Sequence, residues 1–126
     1  MTAHQQAAQA AATHFDDALE HLRVFLSQHT RLSTSPDPAL VFAQLDERMA
    51  NCIAQAVTGI SALQNRPMPS PVASFVAEVR DSVTSLERVH SLISAARTGS
   101  IPPAIPVQMV ARTYAQMDHL REVIAA

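Results

Sequence analysis

An all-α fold, an antiparallel up-and-down four-helix bundle with a short fourth helix, is predicted by three observations. All eight prolines fall in three clusters, every segment between them repeats its apolar residues at helical spacing, and no stretch alternates with the period of two that a strand needs. The chain has 126 residues, 48% hydrophobic and 16% charged, enough for one domain spanning residues 1–126 without a disulfide or a structural metal.

The clusters are Pro36 and Pro38; Pro67, Pro69 and Pro71; and Pro102, Pro103 and Pro106. Proline is tolerated in the first helical turn and costly further in, so each cluster marks a break followed by a helix start. Helices are expected over about residues 2–30, 38–66, 71–98 and 106–125. The first gathers Ala11, Phe15, Ala18, Leu19, Leu22 and Leu26 on one face. The second opens with Asp37 as N-cap and lines up Val41, Phe42, Leu45, Met49, Cys52, Ile53, Ala56, Ile60 and Leu63, with Gly59 a weak point in its interior. The third, with Ser70 expected as its cap, buries Val72, Phe75, Val76, Val79, Val83, Leu86, Val89 and Ile93, and Gly99 is expected to close it. The fourth buries Met109, Val110, Thr113, Met117, Leu120 and Ile124. Short connections between amphipathic helices favour antiparallel neighbours.

Composition narrows the function. The net charge is −2, and nine arginines are spread evenly along a chain without lysine, whereas a nucleic-acid binder concentrates its basic residues. No nucleic-acid partner is expected. The missing lysine fits a GC-rich bacterial genome; a protein delivered into eukaryotic cells that escapes lysine-directed tagging is the other account. Residues 1–14 have neither a basic start nor an apolar stretch, and the longest apolar run, Ala39 to Ala43, is far short of the roughly 20 residues that span a bilayer. Neither a cleaved signal nor a membrane span is expected. A lone cysteine suits a reducing, cytoplasmic setting, with export without a cleaved signal as the alternative.

Reactive constellations are sparse. His14, Asp17 and His21 share one side of helix one at spacings of three and four, so a metal bound by two imidazoles and a carboxylate is a candidate. Glu87-Arg88-Val89-His90 has the Glu-x-x-His spacing of di-iron bundles in one copy only, without the interior glutamates such a cage requires. His90, in line with Val79, Val83 and Leu86, is expected to be a partly buried, satisfied core residue. If held neutral, it would weaken the fold between about pH 6.5 and 5. Cys52 lies on an apolar face where a thiol is inert. Two isolated glycines cannot build a phosphate loop, and no histidine matches a phosphotransfer site. Catalysis and a cofactor are not expected.

Phe15-Asp16-Asp17, followed by Ser35-Pro36-Asp37-Pro38-Ala39-Leu40, resembles the helix–turn–helix of type III secretion needle subunits over about residues 15–45. The resemblance implies a secretion-associated protein that assembles with copies of itself; the chain extends well beyond such a subunit.

The leading expectation is a non-enzymatic bundle that binds another protein or itself, as a homodimer. At about 1.5 Å per residue the fourth helix is roughly 30 Å long against 40–43 Å for the others. With its start held near the loop after helix three, the shortfall would open a notch beside Pro67 to Pro71. Ile60, Leu63, Val72, Phe75 and Val76 would be exposed there as an interface.

Overall fold

Four helices account for nearly all of residues 2–65, 67–97 and 105–125, the part of the chain that the computed structural model describes: α1 (Ala3–His29), α2 (Pro38–Gln64), α3 (Ser70–Arg97) and α4 (Val107–Ala125). Among the described residues there is no strand. Local chemistry sets the starts. Thr2 and Gln5 form a reciprocal capping box on α1, with the Gln5 amide donating to Thr2 Oγ1 at 3.1 Å and the Thr2 amide to Gln5 Oε1 at 2.9 Å. Asp37 caps α2 by accepting from the Leu40 amide at 3.2 Å, with Pro38 as the first helical residue. At α3 the expectation shifts by one residue: Ser70 is itself helical, and the first turn closes through the Ala73 amide onto the Pro69 carbonyl at 3.0 Å. Gly99, the expected end of α3, lies outside the described residues.

The helices form an antiparallel ring. Each packs on the next, α4 returns to α1, and the diagonal pairs keep their backbones apart. On α1 and α2, His14 faces Gln55 and His21 faces Arg48, a descending register that fixes the antiparallel sense. These two helices approach closely because small residues sit between them. Gly59 is buried in α2, and a Cβ there would lie 3.1 Å from Phe15 Cε1 and 3.3 Å from His14 Cβ.

One core runs through all four helices and holds nearly every residue the periodicity placed in it, together with Phe25, which is fully buried. Ile53, Val72, Phe75, Met109 and Ile124 form its half-buried margin. Between helices, Arg121 of α4 pairs with Asp16 of α1 at 2.8 Å, and Gln116 of α4 joins both Ser82 and Glu78 of α3.

Helix α4 is indeed short, 19 residues against 27 or 28. Its shortfall is not where the sequence placed it. His119, six residues before the end of α4, packs on Phe75 near the start of α3, so α4 finishes beside the first turns of α3.

Candidate functional site

The three residues proposed as metal ligands do not converge. His14 Nδ1 lies 2.8 Å from Gln55 Oε1, His21 Nδ1 lies 3.2 Å from the Arg48 guanidinium, and Asp17 is exposed. Seven residues of helix separate the imidazoles by roughly 10 Å along the axis, and each half-buried ring is turned onto its own partner on α2. Among the described residues, no three His, Cys, Asp or Glu side chains form a group able to hold a metal ion. The expectation of a His14, Asp17 and His21 centre is therefore corrected: packing of α1 on α2 gives the two rings separate hydrogen-bond partners.

His90 is half-buried, with its side chain 34% exposed, and its Nε2 lies 2.5 Å from Asp46 Oδ1. Asp46 on α2 is the hub of a cluster: Ser94 donates to Oδ1 at 3.1 Å and Arg97 pairs with Oδ2. Positions 90, 94 and 97 of α3 are spaced to present one side to this carboxylate. Burial pushes the Asp46 carboxyl up, but hydrogen bonds from Arg97 and Ser94 and the nearby His90 and Arg97 charges outweigh it and hold the group below the usual carboxylate range. A carboxylate engaged by three donors is committed to tying α2 to α3 and is poorly placed to take a proton from a substrate. Cys52 is buried, and burial pushes its thiol up to about 12, which leaves almost no thiolate at neutral pH.

The expected notch is closed within the chain. Ile60, Leu63 and Val76 are buried, each at most 4% exposed, while Val72 and Phe75 are half-buried against the core. Met68 from the connection and Ile124 from the last turn of α4 pack on that core as well. The five residues do not form an open apolar interface, because α4 reaches further along α3 than its length suggested.

The same end of the bundle has another property. Residues 1–15, 49–65 and 67–77 contain no Asp, Glu, Lys or Arg, and Arg66 is the single charge between the last two of these runs. The antiparallel ring brings the described parts of these runs together as the start of α1, the last half of α2 and the start of α3. Contacts between Phe15 and Gly59 and between His14 and Gln55 mark the convergence. Charges on the last turns of α4 lie on the far side of the ring from α2, and Arg121 there is already paired with Asp16. Along the outer face of α2, Ala50, Ala54, Val57 and Ser61 are exposed at helical spacing, Val57 at 45%. The three charge-free runs were readable in the sequence, but only the topology shows that they meet.

A search against protein families, characterised proteins and solved structures finds no match to this chain. Among the described residues, no helix is long and apolar enough to cross a membrane.

Proposed function

We propose that the protein is a non-enzymatic helical bundle that acts by protein–protein association through the charge-poor end formed by α1, α2 and α3. The observation that carries this reading is the meeting of three uncharged runs at one end of a chain whose twenty charges lie almost wholly elsewhere. Charged groups are costly to strip of water without a counter-charge, so they are depleted from the centres of protein interfaces. A surface free of them is ready for burial. The lysine-free, arginine-bearing composition supports a source with a GC-rich bacterial genome, and the free buried thiol of Cys52 supports a reducing compartment such as the cytoplasm.

A photoreactive benzoylphenylalanine placed at Val57, or at exposed Arg88 as a control, tests the reading in cells that produce the protein. Irradiation is expected to yield discrete protein adducts from position 57 and none of comparable yield from position 88. No adduct from position 57, or equal adducts from both, contradicts it.

A further inference from the structure

We propose that α4 is a releasable helix: it opens from the bundle as one unit while α1, α2 and α3 stay folded, and so uncovers the apolar sides of α1 and α3 against which it packs.

The helices are anchored unequally. Buried residues number nine on α2 and six on α3, and α1 contributes Phe15, Leu19, Leu22 and Phe25 besides two alanines. Helix α4 buries four: Val110, Thr113, Met117 and Leu120. One of these, Thr113, is the only polar residue buried in the core among the described residues. Its hydroxyl donates to the Met109 carbonyl at 3.0 Å, one turn back on the same helix, so it is satisfied without tying α4 to a neighbour. Elements with few buried apolar groups lie at the low end of local stability and open before the rest.

The polar ties of α4 are also of the weak kind. Its ion pair to α1, Arg121 with Asp16, joins side chains 38% and 51% exposed, and a pair placed so far into water contributes little. The bonds from Gln116 to Ser82 and Glu78 of α3 lie at the margin of the bundle, where water replaces them at small cost. His119, which meets half-buried Phe75, is itself exposed.

The other joints are deeper, and α4 takes part in none of them. Helices α1 and α2 meet where buried Gly59 lies against Phe15 and His14. Helices α2 and α3 are joined by half-buried Asp46 through His90, Ser94 and Arg97. Because the four helices pack as a ring, departure of α4 leaves both joints whole, whereas loss of α1, α2 or α3 breaks at least one of them.

The test is native-state thiol modification of the full chain, with the buried Cys52 of α2 as the internal reference. Thr113→Cys adds a second thiol of similar size at the α4 core. Iodoacetamide is applied under native conditions, and peptide masses report the two thiols separately. Position 113 is expected to react roughly a hundredfold faster than Cys52, and Cys52 to stay protected in molecules already modified at 113. Hydrogen exchange of the unsubstituted wild type guards against an opening created by the variant. Its amides at 112–121 are expected to exchange as a group, roughly a hundredfold faster than those at 46–60 of α2. A thiol at 113 no faster than Cys52, or wild-type α4 exchanging in step with α2, overturns the inference. Fast exchange confined to the last turn of α4 is fraying and overturns it as well.

Discussion

The imidazole of His119 stands edge-on to the ring of Phe75, with centroids 4.8 Å apart and planes at 83°. This contact sets the register of α4 on α3 and explains why the bundle is closed where a short fourth helix was expected to leave it open. It is directly testable. A double-mutant cycle of Phe75→Ala and His119→Ala is expected to give a coupling of about 0.5–1.5 kcal/mol in unfolding free energy. Strict additivity means that α4 does not lie in this register.

Gly59 should resist a substitution that usually stabilises helices. Replacing an interior glycine by alanine adds up to about 1 kcal/mol of helix propensity. Here the new Cβ meets Phe15 Cε1 at 3.1 Å, Phe15 Cζ at 3.2 Å and His14 Cβ at 3.3 Å, so the fully buried Phe15 ring would have to shift by a few tenths of an ångström within the core. Gly59→Ala is expected to lose stability despite its propensity, and Gly59→Leu to cost about 1–3 kcal/mol or more by overpacking. Chemical denaturation measures both. A gain of stability in Gly59→Ala contradicts the close approach of α1 and α2.

Asp46 makes an acid-sensitive contribution to the fold. Its carboxyl titrates below its unfolded value of about 3.9. The stability it contributes is therefore fully present above that value and is lost as pH falls through the lower, folded one. Asp46→Asn is expected to be less stable than the wild type at neutral pH, by about 1–3 kcal/mol, since it breaks a charge-assisted set of hydrogen bonds. The difference should shrink as pH falls below about 4. A gap that stays constant down to pH 2 rules out the proposed pairing with His90, Ser94 and Arg97.

Much of this bundle was legible in the sequence, because two signals agree along it. Three proline clusters separate the four helices, and the 3.6-residue period assigns the core within each one, so Asp37, Pro38 and almost all buried residues fall where expected. Relations between helices were not legible. His90 has its carboxylate partner on α2, 44 positions away, and neither residue's local pattern indicates the pairing. The notch was misjudged for a similar reason: helix length was readable, whereas the place at which α4 begins beside α3 depends on the connection between them. His14 and His21 share a face of α1, but the neighbouring α2 decides what each ring meets.

The cap on α2 gives a local check. Asp37 accepts from the Leu40 amide, one of the first amides of α2 that no backbone carbonyl serves. Asp37→Ala is expected to cost about 1 kcal/mol, and Asp37→Ser to restore most of it. An unchanged unfolding midpoint in Asp37→Ala means that the side chain contributes no cap.

The central claim, that the charge-poor end is covered when the protein is at work, is tested most directly by thiol footprinting in intact cells. Cys52 is buried and its thiol is pushed up to about 12, so the wild type supplies a silent background. Val57→Cys and Arg88→Cys each add one exposed thiol, at the charge-poor end and on a charged face of α3. A cell-permeant maleimide is expected to label Cys at position 88 at the rate of an open thiol, and at position 57 at least tenfold more slowly until the cells are lysed in denaturant. Equal labelling at the two positions in intact cells contradicts the account.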